Sequence, residues 1–132
     1  MSAQTTFQYN DENLTYYYFN QSIVVPTYLI TFAAGNLVEQ KVGNRTNIIT
    51  EPEMMDAAAS ELSGLEDLLS KVENYLVTYE WQEYNILILP PSFPFGGMEN
   101  PLLTFASPTI IVGDKSQIYV ATHEIAHSWT GN

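Results

Sequence analysis

The stretch TNIITEPEMMDAAASELSGLEDLLSKVENYL, residues 46–76, decides the fold class, because its periodicity changes partway along. Thr46 to Thr50 is a short β-branched run of the kind that forms a strand. From Thr50 the apolar residues recur every three or four positions, so that Met54, Ala58, Leu62, Leu65, Leu69, Val72 and Leu76 fall on one helical face. Thr50-Glu51-Pro52-Glu53 supplies a capping box and an early-turn proline for the helix start. Gly64 costs such a helix only about 1 kcal/mol relative to alanine, so one continuous helix is expected. The seven acids between Glu51 and Glu73 sit mostly off the apolar stripe and read as a solvated face rather than a cation site.

Outward from this stretch, residues 1–14 are polar and read as a loose leading segment. Tyr16 to Phe19, Ile23 to Val25 and Tyr28 to Phe32, punctuated by Asn20-Gln21, Pro26 and Gly35-Asn36, read as short strands joined by turns. Leu37 to Val42 extends the pattern up to the turn at Gly43-Asn44. On the other side, Tyr84 to Leu89 is a buried strand stopped by Pro90-Pro91, which cannot continue a ladder. A proline- and glycine-rich loop follows, then strands at Leu102 to Ala106 and Thr109 to Val112. Ser116 is placed to cap a last helix that runs to about Thr130, with Gly131 where helices commonly end. The chain is therefore α+β.

Its 132 residues suffice for one compact domain, and 45% hydrophobic with 13% aromatic residues exclude a disordered tail. Cysteine is absent, so any metal must be held by nitrogen and oxygen. A net charge of -11 is repelled by phosphate backbones and anionic headgroups, which argues against nucleic acid or membrane as partner. No apolar run is long enough to span a bilayer, and a soluble, cytosolic protein is the expectation.

The two histidines of the chain stand as His123-Glu124-Ile125-Ala126-His127. On a helix they project from one face a turn apart, the spacing that brings two imidazoles to a single Zn²⁺. Glu124 lies beside that face, in reach of a metal-bound water. Ile118, Ala121, Ile125 and Trp129 form the opposite, packing face. A catalytic zinc usually has three protein ligands, and neither Asp114 nor Glu99 is selected as the third by spacing. The second constellation is Pro94-Phe95-Gly96-Gly97-Met98-Glu99-Asn100-Pro101, where adjacent glycines permit close approach to a ligand and Glu99 offers a carboxylate to a cationic group.

Gly96-Gly97-Met98-Glu99-Asn100, followed by His123 to His127 and then Ser128-Trp129-Thr130-Gly131-Asn132, resembles the M1 family of zinc aminopeptidases, most closely its leukotriene A4 hydrolase branch. Val25 to Ile30, Leu89 to Pro94 and Gly113 to Ser116 extend the similarity along nearly the whole chain. The resemblance implies that His123 and His127 are zinc ligands and Glu124 the general base. It implies that Glu99 grips the free α-amine of a peptide substrate, with Phe95, Gly96, Gly97 and Met98 along the substrate. Phe95 stands where this branch carries tyrosine. A glutamate ligand about eighteen residues after the second histidine, and a tyrosine further on, would both lie beyond Asn132.

The resemblance thus implies the tail of a β-sheet N-terminal domain, residues 1–49, followed by the front part of a thermolysin-like zinc metallopeptidase domain, residues 50–132. Both ends read as truncated, since Met1-Ser2-Ala3 resembles a stretch inside the β domain. The expected function is zinc-dependent removal of N-terminal residues from peptides. An epoxide hydrolase side activity is indicated by no residue present. The alternative is an inactive fragment with weak zinc binding or an interaction role. A further one is a site completed by Glu99, Asp114 or an acid of the Glu51 to Glu73 helix from a second copy. Oligomeric state is not legible from the sequence.

Overall fold

The structure is a computed structural model that describes residues 1–132. Its centre is a five-stranded mixed sheet of order β3-β4-β5-β7-β6, formed by β3 (Val38–Lys41), β4 (Thr46–Thr50), β5 (Tyr84–Ile88), β6 (Gly97–Met98) and β7 (Thr104–Ala106). β4, β5 and β7 run parallel, and β3 and β6 close the two edges antiparallel. Central β5 is apolar on both faces because both are covered. Ile86 and Ile88 join the main core, whereas Leu87, pointing the other way, is buried with 1% of its surface exposed.

The connection from β4 to β5 carries α1 (Met55–Glu61) and α2 (Leu65–Tyr75), whose apolar stripe packs with Ile48, Ile86 and Ile88. The single helix expected from the periodicity is interrupted. A 3-10 turn occupies Pro52–Met54, and the chain breaks between Leu62 and Gly64, both with ψ near zero. Leu62 and Leu65 are fully buried on either side of the break, so the apolar spacing survives while the backbone bends.

Three other expectations are corrected. The polar leading segment is ordered: β1 (Gln4–Asp11) pairs antiparallel with β2 (Leu14–Asn20) in a separate hairpin. Cross-strand stacking of Phe7 on Tyr18 and of Tyr9 on Tyr16, at 4.3 and 4.7 Å between ring centres, compensates for its polar composition. Conversely, neither Ile23 to Val25 nor Tyr28 to Phe32 forms a strand. Pro26 instead opens a 3-10 turn at Thr27–Leu29 in which Leu29 is fully buried. Thr109 to Val112 is likewise no strand, because Pro108 starts a 3-10 turn capped by the Ser107 hydroxyl.

Two polar anchors fix the elements that lead to the site. The Arg45 amide donates to Glu66 Oε2 at 2.8 Å, and its guanidinium pairs with Glu66 at 3.1 Å and Glu73 at 2.9 Å. Gly43 leaves the room for Glu66, whose side chain occupies the place a β-carbon would take. Burial pushes the Glu66 carboxyl up, but the Arg45 amide and guanidinium and the Thr46 hydroxyl outweigh it and hold the group below its ordinary range. The Tyr79 amide, then Arg45, do the same for Glu73. A carboxyl whose folded pKa is depressed stabilises the fold above its unfolded pKa and loses that contribution as pH falls through the folded value. Denaturant melts from pH 6 to pH 2 are therefore expected to show a loss of stability on the acid side that flattens in Arg45→Met. An acid limb unchanged by that substitution would contradict the assignment.

The second anchor is Glu61, which has 2% of its surface exposed and accepts from the amides of Gly113 and Lys115, each at 2.8 Å. Both residues have positive φ; glycine takes +90° freely, but Lys115 at +61° is held in a conformation that a side chain disfavours. That loop leads into α3 (Ile118–His127), which starts from Gln117 without a side-chain cap; the Ser116 hydroxyl does not serve as one. The far end of α3 is pinned by Trp81 Nε1–H to the Ser128 carbonyl at 3.1 Å and Trp129 Nε1–H to the Val77 carbonyl at 2.9 Å.

Candidate metal centre

Ala121 and Ile125 of α3 are fully buried against the core, which turns His123 and His127 outward beside the edge strand β6. Their Nε2 atoms lie 3.1 Å apart. Two imidazole nitrogens on one tetrahedral Zn²⁺, each about 2.0–2.1 Å from it, are about 3.3 Å apart, so the observed pair has the separation that a shared ion requires. His127 Nδ1 lies 3.1 Å from the Thr130 carbonyl. A carbonyl only accepts, so Nδ1 carries the proton and Nε2 keeps its lone pair for a ligand.

Between α3 and β6, Glu124 is buried with 5% exposure, and its Oε2 has no hydrogen-bond partner. It occupies this place because Gly97 has no side chain: a β-carbon there would fall onto the Glu124 carboxylate. Ligand-capable atoms of Glu99, Glu124 and His127 all lie within 4.8 Å of one another. Burial, opposed by His127 and reinforced by Glu99, pushes the Glu124 carboxyl up to about 7. A carboxyl poised there can exchange protons at neutral pH. An orphaned buried carboxylate oxygen and two converging imidazole Nε2 atoms fit a divalent metal with a bound water, using nitrogen and oxygen donors alone.

A cleft of about 350 Å³ beside His123 and Glu124 is lined further by Gly96, Gly97, Tyr119 and Val120, and His127 and Glu99 are not part of its lining. Tyr119 and Val120 were not singled out in the sequence, although their positions four and three residues before His123 place them on its helical face. Phe95 stands 62% exposed, edge-on to Phe93, and does not line this cleft. Asp114, an open alternative for the third ligand, instead accepts from the Ser116 amide and lies outside the ligand cluster. Glu99, the other alternative, lies inside it. A larger cavity of about 450 Å³, beside Met1, Glu39 and Glu83, contains none of these residues.

The peptidase family M1 domain matches residues 60–132, more than half of the chain. The chain belongs to peptidase family M1. Within the family it is similar to leukotriene A-4 hydrolase of Xenopus laevis, with 48% identity over 93% of this chain and 20% of that protein. It is equally similar to leucine aminopeptidase 2 of Neurospora crassa, at 48% over 88% of this chain and 18% of that one. The structure of native yeast LTA4 hydrolase superposes with a TM-score of 0.88 at 39% identity, covering 99% of this chain and 21% of that one. An M1 zinc metallopeptidase of Deinococcus radiodurans, 21% identical with a TM-score of 0.72, shares the fold. The chain spans about a fifth of the length of the curated relatives it matches.

Proposed function

We propose that residues 1–132 form the metal-binding and amine-binding part of a zinc aminopeptidase that removes N-terminal residues from peptides. The observation that carries this is the convergence of the His123 and His127 Nε2 atoms, with His127 itself clustered with Glu124 and Glu99. His123 and His127 would hold zinc, which when bound polarises the scissile carbonyl and acidifies a water. Glu124, buried beneath Gly97, accepts the proton of the attacking water and returns it to the leaving amine. Glu99, whose carboxylate clusters with Glu124 and His127, binds the substrate ammonium, which ties cleavage to the N-terminal residue and makes the enzyme an exopeptidase. Gly97 and Met98, on an edge strand, offer backbone groups to the substrate chain.

Peptides with a free N-terminal amine are the proposed substrates, and the cytosol the proposed location. For residues 1–132 by themselves we propose little turnover, since the glutamate ligand implied by the family resemblance is not among them. The proposed domain division follows the sequence, a β-rich unit and then a catalytic one. The boundary after residue 49 runs through β4, which pairs with β3 and β5 in one sheet. Glu99→Ala tests the amine-binding role. In a protein of the relatives' length that carries these residues, it is expected to cut kcat/KM for aminoacyl arylamides at least 100-fold with zinc content unchanged. Equal loss of zinc would refute the role given to Glu99.

A further inference from the structure

Three residues past α3 the backbone turns back on itself, and the Thr130 carbonyl meets His127 Nδ1 at 3.1 Å. The approach depends on Gly131. A β-carbon on this residue would lie 2.6 Å from His127 Nδ1 and 3.4 Å from Cγ, and its φ of +154° is one that L side chains rarely adopt. Independent bonds brace the turn: the Thr130 amide to Ala126 and His127 carbonyls at 3.3 and 3.2 Å, and the Asn132 amide to the His127 carbonyl at 3.2 Å. The Tyr28 hydroxyl donates to the Gly131 carbonyl at 3.3 Å, tying the turn to a segment 103 residues earlier. No comparable contact from the chain fixes His123 Nδ1, so the device serves one imidazole of the pair.

We propose that Thr130 and Gly131 are positioning residues for His127: the Thr130 carbonyl selects the Nδ1–H tautomer, and the bare Cα of Gly131 lets the ring lie where Nε2 faces His123. This rests on the metal-site reading, but its structural half does not. A metal-bound histidine whose other nitrogen is held by a carbonyl binds more tightly, typically 10–100-fold, than one left free. Thr130 thereby acts through its backbone, so its side chain is replaceable while Gly131 is not.

The test is long-range ¹H–¹⁵N correlation of the two imidazoles in the metal-free 132-residue chain at pH 8, together with zinc competition against a chromogenic chelator. The intact chain and Thr130→Ala, which keeps the carbonyl, are expected to show His127 as the Nδ1–H tautomer. Gly131→Ala and a chain stopped after Trp129, which lacks the carbonyl without adding a β-carbon, are expected to show mixed tautomers and zinc binding weakened 10–100-fold. The far-ultraviolet dichroism should be unchanged in a variant that retains the fold. An Nε2–H His127 in the intact chain, or an undisturbed tautomer in both altered chains, overturns the proposal. Altered tautomers with unchanged zinc affinity overturn its metal-positioning half. Absence of zinc binding by the intact chain with the tautomer locked overturns that half too, and marks the failure as that of the metal-site reading.

Discussion

Glu124→Gln is expected to lower aminoacyl-arylamide turnover by about 100- to 10,000-fold, the usual worth of a general base, while zinc stays bound. The substitution is nearly isosteric, so the side chain still fills the space under Gly97 that no β-carbon can share. What it removes is the capacity to accept a proton at Oε2, the buried oxygen that no group of the chain satisfies. His123 and His127 keep their 3.1 Å convergence, since neither ring is held by Glu124. The measurement is kcat with metal content in parallel, in a protein of the relatives' length carrying these residues. Turnover within tenfold of the parent, in metal-replete protein, would remove Glu124 from the chemistry.

The largest expected effect on stability comes from a residue that touches no substrate. Glu61→Ala should cost about 2–4 kcal/mol, because two amide hydrogen bonds to a buried carboxylate are lost together and the loop they hold keeps Lys115 at positive φ. Glu61→Gln retains one acceptor and should cost about half as much. Because Gly113 to Lys115 lead directly into α3, the alanine variant should also weaken zinc binding, through disorder at the helix start. Urea melts and zinc titrations of both variants check this. A loss under 0.5 kcal/mol in Glu61→Ala would show that the loop holds its shape without the carboxylate.

Glu61 also shows where sequence reasoning stops. It belongs to the run of acids that periodicity assigns to a solvated face, and its partners are backbone amides 52 and 54 residues further along, which no side-chain pattern announces. Glu66 and Glu73 were invisible in the same way until Arg45 was placed beside them. The break near Gly64 was hidden because Leu62 and Leu65 keep the apolar spacing across it. The hairpin of residues 4–20 was hidden by polar composition, its stability resting on stacked rings across the strands. By contrast, β4, β5 and the site helix were legible, since an apolar β-branched run and a helical repeat each force one face inward. The His123 and His127 pair followed from that repeat alone. That Glu99 lies beside His127 required the fold, which threads the Gly96-Gly97 loop as the edge strand next to α3.

The central claim is that His123 and His127 hold one metal ion between them. The direct measurement is the zinc dissociation constant of the 132-residue chain at neutral pH, by competition against a chromogenic chelator, for the parent, His123→Ala, His127→Ala and Asp114→Ala. The account predicts micromolar or tighter binding of one zinc per chain, weakened at least 100-fold by either histidine substitution and unchanged by Asp114→Ala. Zinc binding as tight in His123→Ala or in His127→Ala as in the parent, or absent from the folded parent chain, would contradict it.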